Sequence, residues 1–257
     1  MSEVLSGVDA LDALNQDDSA GNGAEFSSFK SGTTYTVKVL GTSDLISFFS
    51  YGIFKQLNSF TAKNPSKKSK KGYPIDNLTP FDLAWKYHRD LSEDFSDKHG
   101  VEAGKYRAKQ RFALGLFDLD KGEPIIVDVS KTQGQAIHGS IKKYEKKLNK
   151  LAFELMKVGA GTNTTVSLTP VLDFDEDLSD MQKENYGKAP DGFDMALFDG
   201  LLYEADEQEQ LESLTSVGFD VSLIGLEIPK KAEDGADKAE PADVDPVEDI
   251  DSEKLPF

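Results

Sequence analysis

The sequence predicts an α+β domain: a small β-barrel core with inserted and appended helices, enclosed by acidic segments. Three observations predict it. Short, alternating, β-branched stretches are interrupted by helical patterns without the βαβ regularity of a parallel sheet. Charge is partitioned, with a basic block between acidic ends. After Pro229 the composition collapses to Ala, Asp, Glu, Lys and Pro, too poor in apolar side chains to offset the entropy of ordering.

Residues 1–25 are rich in Asp, Asn, Gly and Ala and read as a flexible segment, although Val4, Leu5, Val8 and Leu11 have helical spacing. The core is expected over residues 26–228. Its first strand is the alternating TTYTVKVLG from Thr33, and its second is YGIFKQLNSF over 51–60. The polar NPSKKSKKGYP that follows reads as a loop. A helix is predicted from Pro80 to Phe95, with Phe81, Trp85 and His88 along one face. KYRAKQRFALGLFDLDKGEPIIVDVS (105–130) reads as two strands joined by a turn. Residues 131–157 read as an amphipathic helix, with Ile137, Ile141, Tyr144, Leu148, Leu151 and Leu155 as its apolar positions. Asn163–Phe174 is a further strand, with Pro170 suited to an edge. Acidic helices fill about 176–217, and VGFDVSLIGLEI (217–228) returns to the core. The order favours a partly open five-stranded Greek-key barrel, with 229–257 as a disordered acidic tail.

Several function classes are excluded or left without support. The chain has no cysteine, so it has no disulfide, no thiolate metal site and no cysteine nucleophile. No basic region precedes an apolar stretch before Asp9 and Asp12, and nowhere do 18 apolar residues run together, so a cytoplasmic protein is expected. There is no phosphate-binding GxxxxGK[ST] loop and no HExxH, and His88, His99 and His138 lack a nucleophile context. Asp173, Asp175, Asp177 and Glu184 match four positions of a calcium loop, but Leu178 stands where glycine is needed and Asp180 where an apolar residue is usual. No cofactor and no enzymatic activity are expected. A nuclease using scattered carboxylates and a metal is the enzymatic alternative.

The formal net charge of −17 alone argues against a nucleic-acid partner. Its distribution argues the other way. Residues 1–25 carry six acids and no Lys or Arg; residues 26–150 hold 22 Lys+Arg against 13 Asp+Glu; residues 151–257 hold 7 against 27. Binding single strands without sequence readout needs cations along a groove and aromatics on which bases stack. The basic block supplies both. Lys67, Lys68, Lys70 and Lys71 sit in the polar loop just before Tyr73, and Tyr51, Phe54 and Lys55 precede it. Trp85, Tyr87 and Arg89 share the first helix. On the next strand Lys105, Arg107, Lys109 and Arg111 alternate about 6.6 Å apart, with Tyr106 and Phe112 on the opposite face. Some of these rings must be core, and Trp85 is open between a core and a stacking position.

The final stretch carries a second signal. Leu255, Pro256 and Phe257 follow Asp249, Asp251 and Glu253, a pattern suited to docking in a partner's basic-rimmed pocket. This ending resembles the acidic tip of bacterial single-stranded DNA-binding proteins. The order YTVKVL, YGIFKQLNSF, a variable loop, KYRAKQRF, PIIVDVS and IHGSIKKYEKKL, over about 33–172, resembles the helix-destabilising proteins of large tailed phages. That resemblance implies an OB-fold, coating of single strands in replication, recombination and repair, possible self-association on DNA, and recruitment of replication proteins such as a polymerase, helicase, primase or loader through the tail. It also implies the host cytoplasm as location. The best-known members hold a zinc through cysteines and a histidine near positions 60–90. This sequence departs from them there, so no zinc is expected and packing around Phe81, Trp85 and Tyr87 must hold the loop. A strand-annealing recombination protein is the alternative within the same class of partner.

Overall fold

A computed structural model describes residues 25–228 of the chain, so the expectations for the N-terminal segment and for the tail with its tip (Asp249 to Phe257) lie outside the described residues. In chain order the elements are β1 (Thr34–Lys38), β2 (Leu45–Ile53), β3 (Leu57–Ala62), β4 (Lys67–Lys68), β5 (Pro74–Asp76), α1 (Pro80–Leu91), α2 (Lys98–Tyr106), β6 (Lys109–Asp118) and β7 (Glu123–Ser130). Then follow α3 (Lys131–Tyr144), β8 (Phe153–Val158), β9 (Thr165–Pro170), α4 (Asp180–Lys188), β10 (Glu204–Ala205) and α5 (Glu207–Ser216). The class is α+β, as predicted, with one large mixed sheet.

Strand β6 organises that sheet. Along most of its length one edge pairs with β7, from Arg111 opposite Ser130 to Asp118 opposite Glu123. Its other edge is divided: Lys109–Leu114 pair with β2, and Phe117 and Asp118 pair with β1. From β1 the sheet continues through β8 to β9, and from β2 through β3 to a parallel β10. No closed barrel forms among the described residues. β1 and β2 follow one another along the same edge of β6, and β3 and β10 extend the sheet beyond β2 as a wing. The free edge of β7 is met instead by Ser27, whose amide donates to the Ile126 carbonyl at 2.8 Å.

Two main apolar cores result. The first lies between the sheet and α3, with Val37, Leu116, Val127, Ile137, Phe153 and Leu155 buried in it. The second lies under the wing, where Phe60, Phe81, Trp85, Tyr106, Leu214 and Phe219 pack together. The return of 217–228 to the core therefore holds, through Phe219 and Val221.

Four expected elements are corrected. The strand predicted over 51–60 is a hairpin turn between two strands, with Phe54 and Lys55 at its tip and Lys55 at φ +64°. The lysine loop forms a short antiparallel ribbon, β4 with β5. Lys105 and Tyr106 end a helix rather than opening a strand, and Arg107 is that helix's C-cap. Helix α3 stops at Tyr144, passes through a 3-10 turn (Glu145–Lys150), and gives Leu155 to β8. Except in the lysine ribbon, a periodicity ran across a boundary set by tertiary packing. Tyr106, for instance, has strand-like alternation but is drawn under Phe81 and Phe219.

Helix α1 begins at a capping box. Thr79 accepts from the Asp82 amide at 3.2 Å, Asp82 reaches back to the Thr79 amide, and Pro80 opens the first turn. Asp82 is itself buried, and beyond capping the helix it pairs with Lys68 at 2.7 Å and accepts from Ser66. Lys68 also donates to the Tyr51 hydroxyl at 3.0 Å, as does Thr79 at 3.2 Å. Burial pushes the Tyr51 phenol well above its usual range, and Asp82 pushes it further. The lysine ribbon is thus tied to α1 and β2 by a buried ionic knot as well as by the Phe81 and Trp85 packing that the sequence suggested.

At the far end of α1, His88 lies over Tyr106 with rings nearly parallel, and its Nδ1 is 3.0 Å from Nδ1 of His99 on α2. Both nitrogens cannot carry protons in that contact. Burial lowers the His88 pKa, and the neighbouring His99 lowers it further. A base whose folded pKa is depressed binds fewer protons than in the unfolded chain, so stability is full above about pH 6.5 and is lost as pH falls through the folded value. Urea midpoints are expected to fall between neutral pH and pH ~5, and His88→Phe should flatten that fall. An unchanged pH profile in the variant would show that the pair is not the titrating element.

Candidate nucleic-acid interface

Six cations of the basic block, Lys55, Lys70, Lys71, Arg107, Lys109 and Lys131, line one groove between α1, α2, the β4–β5 ribbon and the sheet. Three depressions compose it. The first, about 360 Å³, is walled by Tyr73, Trp85, Phe95, Arg89 and Arg107. The second, about 440 Å³, is lined by Phe49, Lys70, Lys71, Lys109 and Lys131, and shares Arg107 and Gly104 with the first. The third, about 370 Å³, lies under the hairpin tip with Phe54, Lys55 and Asn58, and shares Lys109 with the second. Arg107 and Lys109 therefore stand at the two junctions.

Aromatic rings are prepared along this path. Tyr73 stacks on Trp85 with centroids 5.8 Å apart and planes 28° apart. The Arg107 guanidinium lies 4.6 Å from the Tyr73 centroid, and that of Arg89 lies 5.2 Å from the Trp85 ring. Such rings, backed by cations, are suited to stacking on bases and holding phosphates. Phe54 and Phe95 project beyond the groove at 87% and 93% exposure, one at each end. Apolar rings that open to water have no packing role, so their position beside the groove is the signal. Phe95 was missed as a site residue because the sequence reading carried the first helix through it, whereas α1 ends at Leu91 and Phe95 sits in the polar turn Ser92–Asp97.

Charge separates the predicted site residues into two groups. Lys55, Lys70, Lys71, Arg107, Lys109 and also Lys131 form no ion pair among the described residues, and neither does the exposed Lys67. Others are committed. Arg111 holds Asp128 in a two-bond fork, Nε at 2.8 Å and Nη2 at 2.7 Å, which offsets its charge. Lys105 pairs with Glu102 at 2.6 Å, and Arg89 with the exposed Asp90 at 3.1 Å. Lys68 is withdrawn into the knot with Asp82.

Among the predicted aromatics, Tyr51 and Tyr106 are corrected to core residues. Tyr51 stacks on Phe60 at 5.5 Å, and Tyr106 is enclosed by Phe81, His88 and Phe219, so neither ring faces the groove as a platform. Tyr87 is half-buried against Phe219. Phe112 turns to the opposite side of the sheet and packs at the rim of the main core. Trp85 is a core residue, 6% exposed and packed, and one side of it walls the first depression.

The chain matches no protein-family model and no curated protein. Function therefore rests on the groove itself. Among the described residues, no three His, Asp or Glu side chains come together as a metal site. The acids of the calcium-like stretch close a turn, Asp173 accepting from the amides of Asp175 and Glu176. No helix among the described residues is long and apolar enough to cross a membrane.

Proposed function

We propose that this protein binds single-stranded DNA along the groove, without sequence readout over most of its length, and acts as a coating protein rather than an enzyme. The observation that carries the reading is the run of unpaired cations, Lys70, Lys71, Arg107 and Lys109, beside the stacked Tyr73 and Trp85 and the protruding Phe54 and Phe95. Backbone neutralisation and base stacking are the two requirements of such binding, and here they alternate along one path. The groove's setting between a helical insert and a sheet suits a strand with splayed bases better than a rigid duplex.

The finer fold reading belongs with this proposal. Taking β1 and β2 as one interrupted strand, the order β7, β6, β1/β2, β8, β9, with α3 between β7 and β8 in the chain, matches a partly open five-stranded Greek-key barrel. On that reading β3 to α2 form an insert between its first two strands, and the groove runs where the insert meets the sheet. The acidic segment with Leu255, Pro256 and Phe257 serves as the recruiting arm for replication proteins.

The test is a fluorescence titration of Trp85 and Tyr73 with oligo-dT, beside a duplex of equal length, at two salt concentrations. Quenching, tighter binding of the single strand, and a log–log salt slope of about −0.7 per phosphate contacted are expected. Equal affinity for the duplex, or affinity indifferent to salt, would contradict the reading.

A further inference from the structure

The third depression contains a cation that is paired in the free protein. Arg111 follows Lys109 on the same face of β6, about 6.6 Å further along the strand. Both line the depression with Lys55, and so does Asp128 of β7, whose carboxylate holds the Arg111 guanidinium at 2.8 and 2.7 Å. We propose that this fork is a phosphate site of the groove, filled in the free protein by Asp128, and that a phosphate of the bound strand displaces the carboxylate. The inference rests on the single-strand reading above and deepens it, because Asp128 then sets how tightly the groove holds its strand.

Three observations support it. The first is chemical likeness. A carboxylate and a phosphodiester each offer two oxygens to the parallel N–H donors of a guanidinium. Asp128 therefore presents to Arg111 the same two-oxygen fork that a strand would bring.

The second is placement. Asp128 is the one acid among the described residues that line the second and third depressions. The acids that hold the other committed cations lie elsewhere: Asp82, Asp90 and Glu102 line none of the three depressions. Nor is the pair needed to join β6 to β7, whose ladder runs through eight paired residues from Arg111 to Asp118.

The third is accessibility. The Arg111 and Asp128 side chains are 30% and 36% exposed, against 7% and 1% for Lys68 and Asp82. Breaking the buried pair strands a charge, whereas water reaches both members of the Arg111 pair. Asp128 also has a second cation near it. Burial lowers the Lys157 pKa, Arg111 lowers it further and Asp128 raises it, so the released carboxylate stays within the field of an ammonium group.

The experiment measures oligo-dT affinity and its salt dependence for the wild-type protein, Asp128→Asn, Arg111→Ala and the double variant. Asp128→Asn should tighten binding about fivefold, the upper end for a half-exposed ion pair that no longer has to be broken. Tighter binding cannot come from a damaged fold. In the Asp128→Asn background, Arg111→Ala should weaken binding about fivefold at ~0.1 M salt and lower the log–log slope by about 0.7, the share of one phosphate contact. Unchanged affinity in Asp128→Asn overturns the site. So does an equal tightening when residue 111 is alanine, since Asp128 would then act only as a repelling charge. In both cases the coating function stands. Failure of the wild-type protein to bind oligo-dT overturns both readings.

Discussion

Replacing Lys70, Lys71, Arg107 and Lys109 together by alanine is expected to lower oligo-dT affinity at least a hundredfold at moderate salt. Each is unpaired among the described residues and lines the same depression. Four lost phosphate contacts should reduce the log–log salt slope by about 3, since each contact on a single strand contributes about 0.7. The two measurements separate charge from stacking, because loss of a stacking ring lowers affinity without changing the slope. Lys142 and Lys188 provide the control: each is exposed and paired with a nearby acid, Glu145 or Glu184, so their alanine variants should leave the slope unchanged. If the fourfold variant kept the wild-type slope, the strand would have to run elsewhere on the surface.

Asp82→Ala is expected to be the most destabilising single polar substitution, by roughly 3–5 kcal/mol, because breaking a buried ion pair strands its partner. Here Lys68 loses its counterion while its side chain stays 7% exposed, and Ser66 and the Thr79 amide lose an acceptor. Burial already lowers the Lys68 pKa, with Asp82 as the opposing influence. Removing Asp82 lets Lys68 shed its proton more easily, which softens the loss without cancelling it. Urea unfolding measures the effect. The pair Lys68→Met with Asp82→Leu should recover much of the stability, since apolar replacements of buried ion pairs are often neutral or better. It should still lose DNA affinity if the knot orients the ribbon that carries Lys70 and Lys71. A cost below ~1 kcal/mol for Asp82→Ala would mean that Phe81 and Trp85 alone hold the ribbon.

Both effects fall on residues of the basic block, yet only one of them was visible in the sequence. The block was legible because charge is a property of composition, and Lys70, Lys71, Arg107 and Lys109 do line one groove. The strand from Thr34, the two strands within 105–130 apart from where the first begins, and the start of α1 at Pro80 were legible because alternation and the proline signal are local. Arg111 and Lys68 were indistinguishable from their neighbours, since nothing in sequence says which lysine or arginine finds an acid 14 or 17 positions away. Tyr51 and Tyr106 failed as stacking candidates for a related reason: an aromatic on an alternating stretch reads the same whether its face meets water or a second core.

By itself, then, the sequence determined the class of the fold and the partition of charge. These follow from local periodicity and from composition, which survive any arrangement of the chain. Only the tertiary structure decided that the sheet stays open and that Lys68, Arg89, Lys105 and Arg111 are committed to acids. It alone set Phe95 at the end of the groove and Asp128 in its wall. Most of these outcomes depend on contacts between segments far apart in the chain, and burial and pairing are properties of such contacts.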